Sequence, residues 1–319
     1  MIALYVLAAL AAVILIASYV VFRMVLRSPN RMQNDDYYMA PSEQTDALRD
    51  RINGMIRALN EIPYERVAIT SFDGLKLCGR FYHHADGAPL AILMHGYRGT
   101  PSRDFSGGAQ SYLAAGFNLL LVEERAHCGS EGHVITFGVK ERRDCLSWID
   151  YARGRFGEQV RIVLCGISMG ASTVLMASGM GLMQNVKGIV ADCPFTTPKE
   201  IVFKVCRDLK LPPRVIWPLL RLGAWIYGRF DPTGVDAAEA VRQSPVPILL
   251  IHGEDDRFVP CAMGREIASA VPERIELHTF PNAGHGLSFL VDRPRYERIT
   301  RAFFTRIFPQ DAEQMNHMG

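Results

Sequence analysis

A chain of 319 residues can bury a full core in one large α/β domain with small appendages. Its net charge of +2, with 21% charged residues, provides no broad basic surface for nucleic acid. Seven cysteines (78, 128, 145, 165, 193, 206 and 261) are odd in number and lack C-x-x-C spacing, which argues against a disulfide framework or a zinc site and fits reduced, buried thiols.

Residues 1–22 contain no charged side chain and are built from Leu, Ala, Val, Ile and Tyr. A helix of that length spans about 33 Å, enough to cross a hydrocarbon core of about 30 Å. Arg23, Arg27 and Arg31 follow at once, with no Lys or Arg before them. The positive-inside rule then predicts a single-pass anchor over 1–26, with the following domain in the cytoplasm. A cleaved signal peptide is the alternative. It would need a basic leading region and a shorter apolar core.

Residues 30–44 are polar and carry Pro41, as a membrane-proximal linker would. Leu48, Ile52, Met55, Ile56 and Leu59 then fall at helical spacing, so 27–62 divides into a linker and an amphipathic helix. That helix reads as a cap on the domain, with a position over an active-site mouth as the sharper alternative. Stretches 65–72 and 75–82 flank Asp73-Gly74, which predicts a hairpin.

Short apolar runs follow: Leu90–Met94, Asn118–Val122, 162–165, 188–191 and 248–251. Near-continuous apolar strands separated by helix-length segments predict a parallel sheet covered on both faces. One covering helix is predicted over 139–156, with Cys145, Leu146, Ile149 and Ala152 on one side. The interval 195–235 breaks the alternation with Pro198, Pro212, Pro213 and Pro218, Trp217, Trp225 and several Leu and Ile, and reads as a small helical lid. Its basic residues are Lys199, Lys204, Arg207, Lys210, Arg214, Arg221 and Arg229. They suit either an anionic leaflet or a solvated face. A polar tail is expected over 310–319.

Gly166-Ile167-Ser168-Met169-Gly170 follows an apolar strand and precedes a helix predicted over 171–179. In that context G-x-S-x-G presents serine as a nucleophile on a sharp turn, and small neighbours let strand and helix approach. Serine needs a base to take its proton. His285, on the Gly-flanked loop Asn282-Ala283-Gly284-His285-Gly286 after the last predicted strand, can reach it. The remaining histidines read more plainly: His95 and His252 as loop ties at strand ends, His83 and His84 in a turn, His278 in a strand and His317 in the tail.

The loop after 248–251 carries Glu254, Asp255 and Asp256, one of which would orient the histidine. Asp256 is the choice, Asp255 and Glu254 are close alternatives, and Asp192 is a distant one. The turn His95-Gly96-Tyr97-Arg98-Gly99 follows another central strand. Backbone amides of Tyr97 and Met169 are the candidate oxyanion donors.

Together these motifs, spread over about 65–308, resemble the α/β-hydrolase superfamily, and within it bacterial membrane-anchored serine hydrolases related to acyl-ester hydrolases and prolyl-oligopeptidase-like proteins. The resemblance implies a mostly parallel sheet of about eight strands, helices on both faces and a lid after the sixth strand. It implies Ser168 as nucleophile, Asp256 as acid, His285 as base and Tyr97 as an oxyanion residue. The family's D-x-R-G-H-G-x-S turn meets Glu123-Glu124-Arg125-Ala126-His127-Cys128-Gly129-Ser130, with departures at Glu123, Ala126 and Cys128 that bear on loop conformation.

The hydrolase domain is therefore expected over 63–309. Its expected function is cleavage of carboxylic ester or thioester bonds in small acyl substrates, lipid-like ones included. A serine peptidase and a non-catalytic membrane scaffold are the alternatives. No cofactor or metal is implied.

Overall fold

The computed structural model describes residues 1–28 and 43–311. Most of the expected linker, Arg31, and the end of the expected tail with His317 lie outside the described residues.

The apolar runs form an eight-stranded sheet: β1 (Glu65–Thr70), β2 (Lys76–Tyr82), β3 (Leu90–Met94), β4 (Asn118–Val122), β5 (Ile162–Ile167), β6 (Val186–Asp192), β7 (Ile248–Gly253) and β8 (Ile275–Phe280). Their spatial order is β1-β2-β4-β3-β5-β6-β7-β8. The first two pairings are antiparallel and all others parallel. Every residue of β3, β4 and β7 is buried, as strands covered on both faces require.

Helices cover those faces. In chain order they are α1 (Ile2–Val25), α2 (Glu43–Glu61), α3 (Pro101–Phe105), α4 (Gly108–Ala114), α5 (Glu141–Phe156), α6 (Met169–Ser178), α7 (Pro198–Asp208), α8 (Pro213–Gly223), α9 (Ala237–Arg242), α10 (Cys261–Ala270), α11 (Ser288–Val291) and α12 (Arg293–Ile307). A π-helical turn, Ala224–Gly228, continues α8. The two-residue period of a strand divides the core. Leu90, Ile92 and Met94 of β3 join Trp148 of α5, Val174 of α6 and Trp217 of α8. Ala91 and Leu93 join Leu59 of α2, Tyr112 of α4 and Phe304 of α12 on the other face.

The β1–β2 hairpin departs from the two-residue turn its Asp-Gly pair predicts. Its strands end at the Thr70–Lys76 pair, leaving five residues in the loop. Ser71 organises it: its amide donates to the Leu75 carbonyl at 2.8 Å and its hydroxyl accepts from the Leu75 amide at 2.9 Å. Asp73 is drawn away into ion pairs with the Arg125 guanidinium at 3.0 and 3.1 Å, which a tight turn would not permit.

The departures in the loop after β4 also have a backbone consequence. Ala126 (φ 65°) and Cys128 (φ 48°) occupy the left-handed region where glycine is the easier residue. The loop keeps the conformation because Arg125 holds both Asp144 and Asp73, and Glu123 accepts from the Gly129 amide.

α1 is long and apolar enough to cross a membrane, with almost all of its surface exposed. Its end is nevertheless part of the domain core: Ser18, Phe22 and Leu26 are buried. Beyond it, Ile135 donates to the Leu26 carbonyl at 2.7 Å, and Arg27 pairs with Val134 in an antiparallel bridge.

Candidate active site

Ser168 stands at the junction of β5 and α6 with φ 56° and ψ −115°, strained for a residue with a side chain. Two glycines make the turn possible. A Cβ on Gly166 would collide with the Gly170 carbonyl, and one on Gly170 with the Met94 carbonyl. The Ser168 amide donates to the Asp192 carbonyl at 2.8 Å, which fastens the turn to the end of β6. Behind it, the Ser172 hydroxyl donates to the Phe195 carbonyl at 2.9 Å and joins α6 to the chain entering the helical insertion.

The loops after β7 and β8 meet over this turn. The Asp255 amide donates to the Ala283 carbonyl at 3.0 Å and the Glu254 amide to the Phe280 carbonyl at 2.9 Å. His285 is thereby brought between the serine and a carboxylate. Its Nε2 lies 2.8 Å from Ser168 Oγ and its Nδ1 lies 2.7 Å from Asp256 Oδ2. Glu254 and Asp255, the neighbouring carboxylates, face solvent, whereas Asp256 is buried. Asp192 is buried too, and burial pushes its carboxyl up to about 6.

Asp256 is held as the anion. Burial opposes its charge, yet the facing His285, a hydrogen bond from His252 and the Val259 amide outweigh it and keep the carboxyl well below the usual range. Oδ1 accepts from the Phe258 and Val259 amides at 2.9 and 2.8 Å. Oδ2 faces His285 Nδ1 at 2.7 Å, with His252 Nε2 farther off at 3.5 Å. The short contact fixes the His285 tautomer with the proton on Nδ1 and leaves Nε2 free to accept from serine.

The turn after β3 lies against the serine. A Cβ on Gly96 would stand 3.3 Å from Ser168 Cβ. Met169 opens α6, so its amide is among the donors a helix terminus leaves without an intrahelical partner. Tyr97 stacks on Phe137 with ring centroids 5.1 Å apart, and its hydroxyl donates to the Val25 carbonyl of α1 at 2.7 Å. Arg98 donates to the Met24 carbonyl at 2.7 Å. The turn beside Ser168 and the end of the apolar helix are therefore joined directly.

Two supports of that turn are not legible in the sequence. Asp104 Oδ2 accepts from the Gly96 amide at 2.7 Å. Burial disfavours its charge, but the adjacent Arg103 guanidinium keeps it ionised. The second is His127, whose Nε2 accepts from the Arg98 amide at 3.0 Å. His95 ties loops as expected, donating to the Gly96 carbonyl and accepting from the Glu124 amide at 3.1 Å. The helix α2, read from sequence as a cap with a position over the active-site mouth as the alternative, reaches the histidine loop, where Gln44 donates to the Asn282 carbonyl at 2.9 Å.

Cys193, Asp256 and His285 offer donor atoms within 4.8 Å of one another, close enough to share a cation. The geometry serves a proton relay better. Both His285 ring nitrogens face Asp256 and Ser168, and burial pushes the Cys193 thiol well above its ordinary range, so it is a poor ligand. All seven cysteines are buried.

No family model matches the chain. A structure of a Pyrococcus furiosus esterase superposes with a TM-score of 0.64 at 21% identity, over 88% of this chain and 98% of that one. The fold is that of the α/β hydrolases. In sequence, the hydrolase-fold chain is 24% identical over 196 residues to the uncharacterized protein YqkD of Bacillus subtilis, covering 60% of this chain and 63% of YqkD. It is also 24% identical over 244 residues to rat ABHD12, a lysophosphatidylserine lipase, covering 71% of this chain and 58% of the relative. The chain thus spans less than two thirds of the length of either relative.

Proposed function

We propose that this protein is a membrane-anchored serine hydrolase that cleaves carboxylic ester or thioester bonds through an acyl-enzyme. The observation that carries the reading is the unbroken chain of contacts from Asp256 through His285 to Ser168 on a strained, glycine-flanked turn. As Ser168 Oγ attacks the substrate carbonyl, Nε2 of His285 takes its proton and Asp256 stabilises the imidazolium. The Tyr97 and Met169 amides receive the oxyanion, aided by the positive end of α6. His285 then protonates the leaving alcohol or thiol. In the second half, water gives its proton to His285 and attacks the acyl carbon, releasing the acid and restoring Ser168.

A lipid-like acyl ester is the substrate class we favour. Support comes from the apolar helix α1 joined to the active-site turn, the basic residues of the insertion and the lipase relative. Arg23 in the last turn of α1 and Arg27 just after it orient the catalytic domain toward the cytoplasm.

A fluorophosphonate probe tests the chemistry. Wild type should label and Ser168→Ala should not. Absent labelling of wild type, or undiminished labelling of the variant, would sink the enzyme reading. Among labelled enzyme, turnover of p-nitrophenyl esters without turnover of peptide anilides separates the esterase from the peptidase alternative.

A further inference from the structure

The sequence of α1 marks a height against which the helical insertion can be measured. Arg23 is the first charged side chain after the apolar stretch, so the hydrocarbon boundary on the domain side falls near Phe22. The insertion reaches beyond that boundary. Gly223 packs so closely on α1 that a Cβ there would stand 2.7 Å from the Ser18 carbonyl oxygen and 2.8 Å from Phe22 Cβ. Tyr227 packs edge-on against Tyr19 at 5.0 Å and beside Phe22 at 5.6 Å. Its hydroxyl reaches toward the Leu15 carbonyl at 3.4 Å. Leu15 lies about 12 Å along the helix axis from Arg23, at about 1.5 Å per residue.

Between Gly223 and Tyr227 stands Trp225, 69% exposed, followed by Ile226, also exposed. At this height such side chains meet acyl chains or the headgroup boundary, where tryptophan and tyrosine are favoured. Exposed Arg229 follows the turn and suits anionic headgroups, whereas Arg221 before it pairs with Asp231 at 2.8 Å. The contact with α1 is continuous with the active-site turn, because Tyr97 and Arg98 hold the Val25 and Met24 carbonyls.

We propose that the π-helical turn Ala224–Gly228 is embedded in the domain-side leaflet beside α1, with Trp225 and Ile226 in contact with lipid. The insertion then opens toward the bilayer, and ester substrates reach Ser168 from the leaflet rather than from water. This inference rests on the reading of α1 as a membrane anchor.

The tryptophans supply the probe. Trp148 and Trp217 are buried, leaving Trp225 as the exposed one. Full-length protein is reconstituted in phosphatidylcholine–phosphatidylglycerol vesicles, with or without bromine on the acyl chains, and α1 insertion is read separately by resistance to alkaline carbonate. Brominated lipid should quench the part of the emission that Trp225→Phe removes. If the chain resists carbonate but its emission ignores bromination, as it would with the turn in water or packed on a second copy, the proposal fails while the anchor survives. If carbonate releases the chain, both fail. On the functional side, Trp225→Glu should raise the apparent KM severalfold for a long-chain ester carried in the vesicle while leaving that for p-nitrophenyl acetate unchanged. An equal rise for both esters, or none for the vesicle-borne one, would overturn delivery through the leaflet.

Discussion

The left-handed backbone at Ser168 costs about 1–3 kcal/mol and persists because β5, α6 and the Asp192 carbonyl over-determine it. What the turn gains is a hydroxyl aimed at an imidazole whose tautomer is set from behind. Asp256→Asn should therefore leave KM nearly unchanged and lower kcat by about 10⁴-fold, since an amide would favour the wrong imidazole tautomer. Steady-state kinetics on a p-nitrophenyl ester reads both constants. Glu254, Asp255 and Asp256 share one loop, so the sequence prefers Asp256 without excluding its neighbours; in the structure Asp256 is the one of the three that is buried, and it faces His285. His95 carries a pH signature. Burial and the neighbouring His127 push it down to about 3, whereas an unfolded histidine titrates near 6.5. The unfolded chain takes the proton first, so the stability that neutral His95 contributes is present above pH 6.5 and is lost as pH falls toward 3. The loss runs at about 1.4 kcal/mol per pH unit. The stability gap between wild type and His95→Asn should accordingly narrow from pH 7 to pH 4 in urea unfolding. A constant gap would mean His95 is not held neutral.

At the level of elements, α7 ends on Lys210 at φ 55°, with the Leu211 amide donating back to the Cys206 carbonyl at 2.8 Å. Such a helix end favours glycine. Lys210→Gly should stabilise the fold by about 1 kcal/mol, seen as a higher urea midpoint at unchanged slope in detergent solution. The central strands were legible because they announce themselves as unbroken apolar runs, although β5, β6 and β7 extend up to two residues beyond those runs. The hairpin was legible in position but not in turn length, since the Asp73 partner, Arg125, lies 52 residues away. α6 begins at Met169 rather than at Ala171, because the helix starts directly after the strained serine.

For the molecule as a whole, the apolar helix is continuous with the α/β domain. Leu26, 1% exposed, belongs to the same core as Met94, Trp217 and Phe195. Leu26→Ala should cost about 2–5 kcal/mol, as other buried leucine truncations do. A domain cut free after residue 26 should be destabilised at least as much, and both are checked by unfolding midpoints. A wild-type-like midpoint for the cut domain would show that the helix end is only a tether. The sequence by itself determined the glycine-flanked serine turn, the parallel strands and the apolar helix, because backbone sterics, hydrophobic period and helix length act over a few neighbouring residues. Only the tertiary structure decided that Asp256 is the buried carboxylate, that Asp104 and His127 brace the turn beside Ser168, and that Tyr97 and Arg98 grip the end of α1. These depend on burial and on contacts between distant parts of the chain, for which local composition carries no signal.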